Sequence, residues 1–192
     1  FSQPANDMFV VRVAGNVLGG STVGSLDFAI NNLPSIRAVA IVGHLGCGAV
    51  RAAVEAYLDP TDYLGLSANL PLRSVVDSIM AAVRGADMVL RTKYGHDRAD
   101  WPGYPDALLT TSVVLNAALG ADALRRIYAD HLGTELQVVF GVYDLGSRLV
   151  GLPGRDSTWR QGLAVPPAKT EMTSFVESVV DSVYVRELLN RT

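Results

Sequence analysis

The sequence predicts an α/β fold, a mostly parallel β-sheet flanked by helices. Two observations predict it. Residues 37–43, Arg37-Ala38-Val39-Ala40-Ile41-Val42-Gly43, form an apolar run, as a parallel strand covered on both faces requires. Runs of this kind alternate with stretches whose apolar residues recur at helical spacing, and a strand–helix–strand order implies parallel pairing. The chain has 192 residues, which suits one domain of average size. Its composition, 49% hydrophobic and 18% charged, excludes intrinsic disorder.

The elements follow in order. Residues 8–13 are rich in β-branched side chains and stop at Ala14-Gly15-Asn16, which predicts a buried strand. Within that run Arg12 must find a carboxylate or backbone carbonyls, and Asn16 should brace the loop that follows. Residues 17–24 are glycine-rich and predict a loop, with a helix over 25–32 capped by Ser25. Residues 37–43 give the second strand and residues 49–58 the second helix. Pro60 and Pro71 bracket a predicted loop over 59–71. Val75, Val76, Ile79, Met80, Val83 and Leu90 set a 3.6-residue period, so a long helix is predicted over 72–92, weakened by Gly85. A polar, aromatic loop over 93–105 carries His96, Trp101 and Tyr104. Two helices are then predicted, 107–119 and 121–132, parted at Gly120. Residues 136–143 give the third strand, Gly146 a turn, and Leu149-Val150 a short antiparallel return.

Residues 1–151 therefore read as one α/β domain, and residues 152–192 as an extended linker followed by a terminal helix. The linker is rich in proline and glycine. Over 170–189, Phe175, Val176, Val179, Val180, Val183, Tyr184 and Leu188 share one stripe, which predicts a helix packed either on its own domain or on a partner subunit. A formal net charge of −3 argues against nucleic acid as a partner. No stretch reaches the ~18 uninterrupted apolar residues of a membrane span, so no membrane partner is expected. A single cysteine excludes an internal disulfide framework and points to a reducing, cytoplasmic location. The chain opens Phe1-Ser2-Gln3-Pro4 with no initiator methionine, which predicts a processed terminus or a longer product.

The chemistry concentrates in Gly43-His44-Leu45-Gly46-Cys47-Gly48. This segment lies at the carboxyl end of a predicted parallel strand and at the start of a helix, the place where open α/β sheets bind ligands. Three residues separate His44 from Cys47, so an imidazole nitrogen and a thiolate can converge on one metal across a tight turn. Zinc suits that pair, and a thiolate there faces the positive end of a helix. Spacing alone leaves two other readings open: a buried structural cysteine beside a backbone-satisfied histidine, and a cysteine nucleophile with His44 as its base. His96 and His131 are distant in sequence and read as surface residues. A catalytic zinc site needs three protein ligands, and the residues alone supply two.

Read together, residues 7–16, residues 24–29 and the segment from Gly43 to Val50 closely resemble β-class carbonic anhydrases, in order and in separation. Tyr143-Asp144-Leu145 resembles the family's penultimate strand. The resemblance implies a family fold in which the first, central strand is missing from this sequence. It also implies Zn(2+) held by His44 and Cys47 as the second and third ligands. The first ligand belongs to a Cys-x-Asp-x-Arg motif expected upstream of Phe1, and with it the catalytic Asp/Arg dyad. The activity implied is reversible hydration of carbon dioxide to bicarbonate and a proton, as a carbonate dehydratase, provided that motif lies upstream. Family members are dimers or multiples of dimers, so a homodimer or dimer-based oligomer is expected. Two alternatives stand beside this: a non-catalytic scaffold or bicarbonate-sensing subunit, and hydrolysis of carbonyl sulfide or carbon disulfide on the same fold. The residues preceding Phe1 discriminate enzyme from scaffold.

Overall fold

A computed structural model describes residues 4, 6–131, 136–156 and 159–191 of the chain. The architecture is α/β, with a four-stranded mixed sheet in the order β1-β2-β3-β4. β1 (Ala38–His44) and β2 (Gln137–Asp144) form the parallel pair, in register from Ala38 opposite Gln137 to His44 opposite Tyr143. β3 (Leu149–Leu152) and β4 (Arg160–Gln161) extend the sheet antiparallel beyond β2. Among the described residues no strand pairs with the other edge of β1.

Residues 8–13, expected as a buried strand, run outside the sheet. Val13 keeps extended dihedrals (φ −139°, ψ 154°), but Met8, Phe9, Val10 and Val13 lie exposed. β propensity gives an extended backbone, but a strand also needs a neighbour to pair with. Arg12 is exposed and makes no ion pair or hydrogen bond among the described residues, so the expected partner is not found. The predicted loop over 17–24 is largely helix: α1 spans Gly20–Asn32, and Ser25 lies within it, its hydroxyl donating to the Ser21 carbonyl at 2.8 Å.

α2 (Gly48–Leu58) follows β1, as predicted. The expected loop after it contains a short helix, α3 (Pro60–Gly65). Asp59 caps α3 by accepting from the Thr61 N–H at 2.8 Å, and Pro60 sits in the first turn, where its missing N–H costs nothing. α4 (Leu70–Tyr94) passes through Gly85 without a break. A Cβ at Gly85 would lie 3.0 Å from Leu115 Cδ2, so the glycine lets two helices approach closely.

The two helices expected after residue 106 are one, α5 (Tyr104–Ile127), and Gly120 lies inside it, close to Ile41 of β1. α5 is long and apolar enough, by length and composition, to cross a membrane, yet 78% of its most apolar stretch is buried in protein. A helix apolar on all sides is expected where every side is covered. Here α2, α4, the sheet and the terminal helices all pack on it.

The 152–168 stretch is sewn to the domain. β4 pairs with β3, and Phe140 and Ala164 exchange hydrogen bonds of 2.8 Å in both directions. Arg125 of α5 donates to the Pro166 carbonyl at 3.1 Å while its other nitrogen holds buried Asp122 at 2.7 Å. The terminal stripe divides into α6 (Met172–Val180) and α7 (Val183–Leu189), broken where Ser182 caps α7. α6 packs on α4 and α5 and α7 packs on α5, all of their own chain, burying Val176, Val179, Val180, Val185, Leu188 and Leu189.

Candidate metal centre

Strand β1 ends at His44, and three residues later Cys47 is the N-cap of α2. The reversal between them needs Gly46, whose φ is +67°, a region that L side chains enter at a cost. The Leu45 N–H donates to the Tyr143 carbonyl at 3.0 Å, tying the turn to the end of β2. The Cys47 carbonyl accepts from the Arg51 N–H at 2.9 Å and starts the helix.

The two candidate ligands differ in exposure. Cys47 is buried, and the His44 imidazole is exposed. His44 Nδ1 lies 3.1 Å from the Leu45 carbonyl oxygen. A carbonyl only accepts, so Nδ1 is the donor in this contact, and in the neutral ring that leaves the lone pair on Nε2. That is the tautomer that ligation through Nε2 uses, with the other nitrogen oriented by the backbone. The donor set, one imidazole and one thiol, suits zinc chemically. It is half a site: among the described residues no group of three or more His, Cys, Asp or Glu side chains could hold a metal ion. His96 is exposed and joins no such group; the side chain of His131 lies outside the described residues.

Neighbouring residues hold the turn in place. A 3-10 turn over Ala14–Asn16 packs on the first turn of α2: a Cβ at Gly15 would lie 3.3 Å from the Ala49 Cβ. Asn116, midway along α5, donates from Nδ2 to the Gly15 carbonyl at 2.8 Å. Asn16 holds φ +45°, and its Nδ2 is buried with no partner among the described residues. Asn116 is a residue that local sequence reading passed over; its signal is an amide in an otherwise apolar stretch. Asp144, at the end of β2 beside His44, is spent on its own turn. Hydrogen bonding from Ser147, then from the Gly146 N–H, holds its carboxyl below the usual carboxylate range. Arg51 pairs with Asp106 at 3.5 Å, both about half exposed, a contact worth little in stability.

A second polar cluster lies inside the helices. Asp87 of α4 is buried and accepts from Tyr57 Oη at 2.8 Å, Tyr104 Oη at 2.6 Å and Arg91 Nε at 2.9 Å. Burial, then the bond to Asp87, pushes the Tyr104 phenol well above its ordinary range. A carboxylate with three donors, one of them a guanidinium, satisfies the demand that buried charge be paired.

Comparison with known proteins places the chain in a family. A family model described as carbonic anhydrase matches residues 1–102. Carbonic anhydrase 2 of Mycobacterium tuberculosis is 43% identical over 61 residues, which is 32% of this chain and 29% of that protein. A carbonic anhydrase of Mycolicibacterium smegmatis is 41% identical over 56 residues, 29% of this chain and 27% of that protein. The matches thus span less than a third of these relatives' length. The structure of the β-carbonic anhydrase CcaA matches with a TM-score of 0.52 at 19% identity, over 77% of this chain and 68% of that one, which shows a shared fold.

Proposed function

The chain belongs to the β-class carbonic anhydrase family, and from that premise we propose that it serves reversible hydration of carbon dioxide to bicarbonate and a proton, with His44 and Cys47 as zinc ligands. The observation that carries the reading is the β1–α2 turn. It places a thiol and an imidazole three residues apart, with Nδ1 engaged and Nε2 free. Zinc, when bound, supplies Lewis acidity that brings the ionisation of water into the neutral range. The protein's part is to hold. Cys47 offers sulfur from a helix start, the Leu45 carbonyl fixes the imidazole tautomer, and Gly46 lets both donors share one turn. The Cys-x-Asp-x-Arg motif that would complete three ligands does not occur in this sequence.

Cobalt(II) addition tests the ligands. A thiolate-to-cobalt charge-transfer band should appear, vanish in Cys47→Ser, and weaken in His44→Ala. No band, or a band that survives Cys47→Ser, refutes the pair. Carbon dioxide hydration followed by stopped flow, with and without zinc, tests the activity. A second reading, a non-catalytic member of the family, draws on the absence of a three-donor group among the described residues. Metal binding without zinc-dependent turnover would select it.

Dimeric assembly belongs to the same proposal. It is supported by the exposed Met8, Phe9, Val10 and Val13 and by the edge of β1 that no strand among the described residues pairs with, since exposed apolar surface and an open edge each favour association. Light scattering after gel filtration should give at least twice the chain mass at micromolar concentration. A monodisperse monomer refutes it.

A further inference from the structure

A cavity of about 520 Å3 opens between α2, α3 and α4, an ordinary size for a small-molecule site. Two tyrosines line it, and both are fixed by hydrogen bonds within the protein. Tyr57 Oη donates to Asp87 at 2.8 Å, and Tyr63 Oη donates to Asp77 at 2.9 Å. Arg73 lies 5.4 Å from the centre of the Tyr63 ring, which holds that side chain further. Ala56 and Met80 add apolar surface. Walls held this way lose little freedom when a ligand enters, which favours binding.

The charges along the cavity are unequal. Asp77 is committed: it accepts from Tyr63 and pairs with Arg73 at 3.5 Å. Arg84, also lining the cavity, makes no ion pair or hydrogen bond among the described residues. It lies near enough to Tyr57 to act on its phenol electrostatically. Asp77 and Arg84 are seven residues apart on one helix, so they lie about 10 Å apart along its axis. The cavity thus offers, among the described residues, one uncommitted cation beside aromatic and aliphatic walls.

We infer that this cavity binds a small organic monoanion with an apolar body, its carboxylate on the Arg84 guanidinium and its body between Tyr57 and Tyr63. A dianion would find one uncommitted cation for two charges. A bare inorganic anion would leave the aromatic walls unused. Tyr57 stands ten residues along α2 from Cys47, about 15 Å at the helical rise, so the site is separate from the candidate metal centre.

The test uses the metal-free full chain and 4-fluorobenzoate, followed by fluorine NMR. Saturable one-site binding is expected. Arg84→Met should weaken it about tenfold or more, as loss of a charged hydrogen-bond donor does, and Arg84→Lys should recover part of it. Circular dichroism checks that each variant folds. Tyr63→Ala should weaken binding too, and formate, which has the charge without the body, should bind about tenfold more weakly or worse. Cys47→Ser should change nothing. The inference is overturned by absence of saturation, by unchanged affinity in Arg84→Met, by formate binding as well as fluorobenzoate, or by loss of binding in Cys47→Ser.

Discussion

Gly46 shows how much one residue decides at the candidate centre. A Cβ there would meet open space, so its glycine is required by dihedral angle and not by crowding. Gly46→Ala should therefore cost about 1–2 kcal/mol, the price of a left-handed alanine, read as a lower urea midpoint with an unchanged slope. Tyr104 gives a pH-dependent case. Its native phenol is held protonated above the ordinary value of 10.0, by burial and then by Asp87. Above that pH the unfolded chain releases a proton that the native chain keeps, so stability is present below about pH 10 and falls as pH rises beyond it. Tyr57, Tyr128 and Tyr184 shift in the same direction. Urea unfolding at pH 8 and pH 10.5 should show this loss, and Tyr104→Phe should show a smaller one. At pH 8 Tyr104→Phe should itself cost about 1–3 kcal/mol, because Asp87 loses one of three donors. His44, Gly46 and Cys47 were legible in the sequence because the turn that joins them is local. Asn116 and Asp87 were not, since their partners lie 101 and up to 30 residues away.

At the scale of elements, periodicity found β1, α2, α4, β2 and the terminal stripe. It placed a break at Gly120, where α5 runs on. Gly85 read as a weak point in a long helix, and there the missing Cβ, which would lie 3.0 Å from Leu115 Cδ2, lets α4 approach α5. Gly103 went unremarked, although a Cβ there would lie 1.9 Å from the Leu188 carbonyl oxygen. Backbone cannot yield as a flexible side chain does, so Gly103→Ala should push α7 from the start of α5. We expect a cost of about 1–3 kcal/mol, as for other overpacked sites. Hydrogen exchange should quicken across α7 while the β1–β2 amides keep their protection. Uniform protection would mean that α7 moves without loss. The strand expected over 8–13 failed for a different reason: its composition suits a sheet, but pairing depends on a neighbour that composition does not specify.

For the molecule as a whole, the class was legible and the closure was not. Alternating apolar runs and helical periods gave α/β, and the return at Leu149-Val150 was legible, but they did not show that the chain goes on through β4 and Ala164 and then lays α6 and α7 over α4 and α5. The enclosure of α5 by elements that follow it in sequence has a consequence in time. During synthesis α5 leaves the ribosome before β2, α6 and α7 exist. For that interval a 24-residue helix with the length and composition of a membrane span has no cover on those sides. The nascent chain then exposes the kind of apolar surface that invites aggregation or capture, until α7 is made and docks.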